Sequence, residues 1–408
     1  MDVYDALVVG AGPGGATTAT FMARDGLRVL VVDKDAFPRD KVCGDAISGK
    51  SVDVLRRLGL VERVQQAKTI GSWGITFSGP YGDQVTIPFT KELGKPVPPG
   101  FVCAREDFDV IVYEAAVEAG AEVWTNAAVT GLVREGARVV GAHVKRDGVT
   151  QEVRARLVIG ADGAYSAVVR GLGLDQLDEK HYCAGLRAYY HGVTGFDTVH
   201  NAIELHFVNE AIPGYFWIFP MADGRANVGI GILSSEVKKR GIKLKAVLDA
   251  CIANPRFAPR FADASRDGKV LGWGLPLGSK PRPLQGDGWM LVGDAGSLID
   301  PFSGEGIGNA MISGEIAARW AARAKETGDV SAAALEGYGR EVMAYLGDEL
   351  RLSHAMQRLG NWKWLLNTVI RKASRSPHVA AAISSMFDDE ASRKQLLSPL
   401  FYLRVLTA

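Results

Sequence analysis

Residues 5–15 read DALVVGAGPGG, an apolar run that stops at a cluster of glycines. Asp5 to Val9 has the character of a buried parallel strand, which is apolar on both faces. The segment from Gly14 to Arg24, GGATTATFMAR, reads as a helix of small and apolar residues. Arg28 to Val32, RVLVV, reads as a second buried strand and ends at Asp33. Together these make a β-α-β unit of roughly 30 residues, the usual size of that motif. Gly10-x-Gly12-x-x-Gly15 lies at its strand-to-helix turn, the context that gives this pattern meaning. Gly10 permits the tight turn, Gly12 lets the backbone approach a pyrophosphate, and Gly15 allows close helix–strand packing. The helix N-terminus offers unpaired N–H groups and a positive dipole end to phosphates. Asp33, followed by Lys34, stands where an acid accepts hydrogen bonds from ribose hydroxyls. The bland alternative is a glycine-rich turn with a solvated Asp. The pattern alone does not separate FAD from NAD.

The whole chain has 408 residues, 47% apolar and 23% charged, the profile of an ordinary globular protein with two or three structural units. Lys and Arg number 47 against 46 Asp and Glu, a net charge of +1. That balance argues against a nucleic-acid binder driven by phosphate attraction. Cys43, Cys103, Cys183 and Cys251 are far apart and form no CxxC pair, so neither a metal site nor a disulfide scaffold is expected. The N-terminus has no signal-peptide pattern, and no apolar run approaches the ~20 residues of a membrane span. The reading places the protein in the cytoplasm, either free or peripheral on the inner face of the cell membrane.

Downstream, residues 70–89 alternate apolar and polar with turn signals and suggest antiparallel strands. Phe108 to Ala119 reads as a helix, Glu122 to Thr125 as a strand, and Arg156 to Gly160 as a short buried strand. Residues from about Cys183 to Leu233 read as an antiparallel sheet, Met290 to Val292 as a buried strand, and Gly306 to Lys325 as a long helix. The last ~70 residues read as mostly helical. The expected organisation is α/β. One discontinuous nucleotide-binding domain (1–68, 98–180, 268–335) is interrupted by an antiparallel substrate domain (69–97, 181–267) and followed by a helical region (336–408).

Two later segments decide between the dinucleotides. Residues 160–166 read GADGAYS and residues 293–306 read GDAGSLIDPFSGEG. With the N-terminal motif they resemble the FAD fingerprints of glutathione-reductase-type flavoproteins, in the branch containing para-hydroxybenzoate hydroxylase. The resemblance implies a Rossmann-type FAD-binding domain, held through Gly10, Gly12, Gly14, Gly15, Asp33 and Lys34. It implies that Asp294, after Gly293, bonds the ribityl chain. Pro301, Gly304, Gly306 and Ile307 would bring a helix N-terminus to the isoalloxazine, where a positive helix end stabilises negative charge. Arg105 would contact the cofactor, and Asp162 and Gly163 would lie near the pyrophosphate. On the residues alone, Asp162 is equally a helix cap and Gly304 a turn. No second GxGxxG follows in a strand–helix context. The reductant is therefore a transient NAD(P)H or a protein electron donor.

Two further segments, FPRDKVCGD at 37–45 and PGYFWIFPMADGRANVGIG at 213–231, resemble the geranylgeranyl reductase family over essentially the whole chain. The resemblance implies reduction of carbon–carbon double bonds in a polyprenyl lipid or an isoprenoid quinone side chain. The superfamily's halogenases carry Trp-x-Trp-x-Ile-Pro where this chain has Tyr215, Trp217, Phe219 and Pro220. Tyr215, Trp217 and Phe219 alternate along a strand and share one face. They suit an apolar tunnel for an isoprenoid, or a plain sheet core. The resemblance would place Cys43 and Gly44 near the flavin, with Cys43 touching substrate, donating a proton or merely packing. Asp45 is a neighbouring acid with a similar claim, so that Cys43, Gly44 and Asp45 are the catalytic candidates. Lys41 reads as a possible solvated charge. Trp362 and Trp364 among Lys363, Arg371, Lys372 and Arg375 suit an anionic membrane surface, or a helix packed on the main body. The apolar stretch 396–406 reads as docked. The rival functions are a flavin monooxygenase or halogenase, and a non-enzymatic prenyl-binding escort. The sequence leaves oligomeric state open.

Overall fold

The computed structural model describes residues 3–89, 94–174, 178–376 and 379–380. The opening motif folds as its pattern predicts. Tyr4–Val9 is a buried strand, Pro13–Arg24 a helix and Val29–Val32 a second strand, parallel to the first with Ala6 opposite Val29. They form the centre of an eight-stranded sheet. Its path runs Gln285–Gly286, Trp289–Leu291, Val149–Gly160, Tyr4–Val9, Val29–Val32, Glu122–Trp124, with Arg138–Arg146 and Ala127–Glu135 continuing from Val149–Gly160 as an antiparallel ribbon. Helices Pro13–Arg24, Arg105–Glu118 and Ile307–Thr327 cover one face and bury Val8, Val31, Ile159 and Met290.

A seven-stranded sheet forms the second layer. Its order is Ser265–Pro276, Tyr182–His191, Arg225–Leu233, Gly214–Pro220, Ile203–His206, Gly74–Ser78, Gln84–Pro88. It is antiparallel except where Ile203–His206 runs parallel to Gly74–Ser78. Two positions depart from the expected organisation. Ser265–Pro276 is one strand of this sheet, so it crosses the boundary set at 268. Thr69–Ser72 pairs with Gly100–Cys103 in a separate three-stranded sheet with Ala46–Ile47, rather than with the strands after it. Helices Ala332–Leu359 and Lys363–Arg375 follow, and the apolar stretch 396–406 lies outside the described residues.

The short strand read at 156–160 is the end of a twelve-residue strand, Val149–Gly160. Its first half is polar and exposed because it belongs to the ribbon. The helix read from Phe108 begins at Arg105, whose polar first turn masked its start. Helices Gly49–Leu58 and Leu244–Ala253 were not apparent in the sequence pattern.

Gly15 fixes how tightly the first helix sits on the sheet. A Cβ there would lie 1.8 Å from the Gly10 carbonyl oxygen. Backbone cannot yield as a flexible side chain can. Gly15→Ala should therefore cost about 3 kcal/mol, the upper end for overpacking, read as a lower midpoint in urea unfolding. An unchanged midpoint would contradict the close approach.

Candidate active site

One cavity of about 1270 Å³ runs from the glycine loop to the seven-stranded sheet. It exceeds the ~300–1,000 Å³ of most small-ligand sites, room for more than one ligand. At its first end, Gly10, Gly12, Pro13 and Gly14 form the wall, while Gly15 is turned into the packing below. The helix Pro13–Arg24 has no side-chain cap on its N-terminus. Its free N–H groups therefore face the cavity, as an anion requires. Around Gly12 the space is open, with Arg39 Nη2 3.6 Å from where a Cβ would stand. A second uncapped helix, Ile307–Thr327, starts at Gly306, and both Gly306 and Ile307 line the same cavity. Two positive helix ends thus converge on one space.

Asp33 is buried, and its carboxylate accepts the backbone N–H of Ala11 at 2.7 Å and of Asp35 at 2.9 Å. It braces the glycine loop from the end of its strand and lines the cavity beside Lys34. Arg105 is buried and forked onto Asp109 at 2.6 and 2.7 Å, with the Cys43 thiol within hydrogen-bonding reach. Burial works against its charge, but Asp109 outweighs that and holds the guanidinium above its ordinary value. Arg39 joins the same Asp109 at 2.9 Å and lines the cavity. Asp162 accepts the N–H groups of Ala167 and Val168 at 2.6 and 3.3 Å, so its carboxylate acts as a cap at the short helix Ala167–Gly171 while also facing the cavity. Gly163, Gly293, Asp294, Pro301 and Gly304 line the wall too. Lys41 is not a solvated charge. Its Nζ lies 3.8 Å from Asp294 and 5.0 Å from the Trp273 ring centroid, and burial pushes its ammonium down.

At the far end, Tyr215, Trp217 and Phe219 share the cavity face of Gly214–Pro220, while Phe216 and Ile218 face the opposite core. Pro220 pairs with Ala226 and does not line the cavity. Phe77, Phe207 and Phe302 extend the aromatic wall, and Leu366, Val369 and Ile370 of the last described helix close it. The Tyr215 hydroxyl donates to the Ser303 carbonyl. Gly304, at φ 74°, lies against that hydroxyl, where a Cβ would stand at 2.8 Å.

Cys43 and Gly44 line the cavity, but Asp45 does not. The motif's acid thus stands behind the wall that its neighbours Cys43 and Gly44 form. Asp45 is fully buried at φ 64°, and its Oδ2 accepts the Tyr189 hydroxyl at 2.6 Å and the Asn227 amide at 2.8 Å. Sequence reasoning also missed Lys50, held between Glu305 at 2.7 Å and Glu349 at 2.9 Å in the cavity wall. Burial disfavours the Lys50 charge, but the two carboxylates outweigh it and hold its ammonium above the usual value. These partners are far apart in sequence, so no local signal marks them. Among the described residues no cluster of His, Cys, Asp and Glu could hold a metal ion.

The residues at the first end suit a dinucleotide cofactor, with two uncapped helix ends, an open glycine and basic side chains around one space. Residues 3–346 match the family model of the FAD binding domain. The chain is 32% identical to the digeranylgeranylglycerophospholipid reductase of Thermoplasma volcanium, over 81% of each chain. It is 33% identical to the menaquinone reductase of Mycobacterium tuberculosis, over 78% of this chain and 76% of that one. The chain belongs to the geranylgeranyl reductase family of FAD-binding proteins. A geranylgeranyl bacteriochlorophyll reductase-like protein of Thermoplasma acidophilum superposes with a TM-score of 0.82 at 26% identity, covering 98% of this chain and 96% of that one. The family's α/β FAD-binding architecture, with its second sheet and helical end, is the one seen here.

Burial raises the Asp45 carboxyl to about 6 from 3.8, against the lowering effect of the Tyr189 and Asn227 donors. The folded protein thus holds this proton more tightly than the unfolded chain does. Stability on this account is full below 3.8 and is lost as pH rises through about 6. Asp45→Asn keeps a residue type that tolerates positive φ but cannot ionise. Its stability relative to wild type should rise by about 3 kcal/mol between about pH 4 and pH 8 in denaturant titrations. A pH-independent difference would show that Asp45 does not titrate in this range.

Proposed function

We propose that this protein hydrogenates isolated carbon–carbon double bonds of a polyprenyl chain. The observation that carries the reading is one continuous cavity, which joins a dinucleotide-type phosphate loop to an aromatic, apolar chamber. When bound and reduced, FAD supplies the hydride for such a reaction. The protein's own work is binding, orientation and exclusion of water.

Each part of the wall has a task. The glycine loop, Arg39 and the Pro13–Arg24 helix end would hold the diphosphate. Asp294 with Lys41, and the Gly306 helix end, would hold the polyol and ring. An isolated alkene accepts hydride poorly unless a proton arrives with it, so positive charge develops on carbon. The faces of Tyr215, Trp217 and Phe219 stabilise such charge without offering a nucleophile. Cys43, beside Arg105 and on the cavity wall, would touch the reacting bond. The relatives' names point to a digeranylgeranyl phospholipid or a menaquinone as the substrate class. The chain reduced would lie along Phe77, Phe207 and Leu205 toward the last described helix.

That helix, Lys363–Arg375, carries the proposal to a membrane. Leu366, Val369 and Ile370 line the cavity, whereas Trp364, Arg371 and Arg375 are exposed, as is Trp362 just before it. No described helix is long and apolar enough to cross a bilayer. A peripheral helix with aromatic and basic residues would let a lipid chain pass from the bilayer into the cavity.

Chemically reduced enzyme incubated with a geranylgeranyl lipid or a menaquinone should add two hydrogen atoms per double bond, as read by mass spectrometry. No gain on either class would reject the reductase reading, and an oxygen-dependent gain of one oxygen atom would favour a monooxygenase. Replacing Trp362 and Trp364 together by Ala should lower cosedimentation with anionic phospholipid vesicles about tenfold, the scale of losing two interfacial aromatics. Unchanged cosedimentation would remove this helix from any membrane contact.

A further inference from the structure

Asn227 lies opposite Phe219 in the seven-stranded sheet and is fully buried. A buried carboxamide must find partners for its donors and its acceptor. Here Oδ1 accepts the indole N–H of Trp217 at 2.8 Å. Nδ2 donates to the Cys43 carbonyl and to Asp45 Oδ2, each at 2.8 Å. The partners fix which end of the amide is which. An indole N–H can only donate, and a backbone carbonyl can only accept.

The loop that Asn227 holds is already pressed on the aromatic strand. A Cβ on Gly44 would stand 3.0 Å from Phe219 Cε2. Cys43 and Trp217 both line the cavity, while Asn227 and Asp45 lie behind it. A rigid, planar carboxamide thus spans the gap between the Cys43 backbone and an indole of the wall. The Tyr189 hydroxyl, on a neighbouring strand, braces the loop through Asp45 at 2.6 Å.

We propose that Asn227 is a positioning residue that sets the Cys43 thiol relative to the Trp217 ring. The link rests on the reductase reading only for what the thiol and ring do to a substrate. A prenyl chain that presses on Trp217 would move Cys43 with it, so chain shape is felt at the reacting end of the cavity. A carboxamide that merely filled its hydrogen bonds would stabilise the fold without coupling these two side chains.

The test uses the FAD-loaded full chain without substrate. The rate of iodoacetamide labelling at Cys43 is followed by peptide mass spectrometry in wild type, Trp217→Phe, Asn227→Ala and the double variant. Phe keeps an aromatic ring but has no N–H to donate. Trp217→Phe should change the Cys43 rate about fivefold in the wild-type background, the factor carried by one net hydrogen bond. The same substitution should have no effect in the Asn227→Ala background. Equal factors in both backgrounds would overturn the proposal. Should Asn227→Ala fail to fold, Trp217→Phe alone decides, since an unchanged Cys43 rate rejects the link. No turnover is measured, so a negative result here leaves the reductase reading standing, and absence of prenyl reduction leaves this link standing.

Discussion

The close approach of the first helix to the strand before it and to the helix Ile307–Thr327 is the constraint on which the rest depends. Gly15 meets the Gly10 backbone, and Gly314 meets the Gly14 carbonyl, where a Cβ would stand at 2.6 Å. With side chains at these points, the two helices would be pushed apart and their N-termini would no longer share a cavity. Helix ends act only over about their first turn, so two of them must come close to act on one ligand. The small residues are therefore electrostatic devices as much as packing devices. They let two partial positive charges face the same space without a side chain between them.

The seven-stranded sheet answers the opposite need. Its cavity face is aromatic, and its outer face packs Phe216, Ile218 and Val228 against Leu248 and Cys251 of the helix Leu244–Ala253. Both faces are apolar, so the strand reads as a continuous hydrophobic run. Hydropathy could show that Tyr215 to Pro220 is a strand, but not which face is functional. The alternation supplied the face, and the family motif supplied its meaning. Pro220 shows the limit of the motif, because it falls at the strand's end, beyond the cavity wall.

What the sequence could not show was mostly made by distant partners. Asp45 is two residues from Cys43 in a motif that points to chemistry. The fold turns it away from the cavity, at φ 64°, into the hands of Tyr189 and Asn227, about 140 and 180 residues later. Lys50 carries no local motif, yet its ammonium pairs with both Glu305, in the loop before the helix Ile307–Thr327, and Glu349, in the helix Ala332–Leu359. Asp162 was legible both ways, and the structure has its carboxylate serve the helix end while facing the cavity. Local motifs were readable because glycine turns and strand periodicity are local physics. Ion pairs and buried amides were not, because their partners meet only after folding.

The two ends of the cavity are joined by hydrogen bonds rather than by the ligands between them. Tyr215 ties the aromatic strand to Ser303, in the loop that leads into the Gly306 helix end. Asn227 ties Trp217, on the same strand, to Cys43. Glycines stand beside both ties, since a Cβ on Gly304 would meet the Tyr215 hydroxyl at 2.8 Å and one on Gly44 would meet Phe219 Cε2 at 3.0 Å and Trp217 Nε1 at 3.8 Å. An aromatic wall left to hydrophobic packing alone would keep its area but not its register, since apolar contact is non-directional. Indole and phenol carry a polar handle, and here each handle is anchored to a loop at the cofactor end. The wall can thus be apolar toward a lipid and still be placed by directional bonds. A reaction that must bring an unpolarised double bond to a fixed point on a second ligand requires that combination.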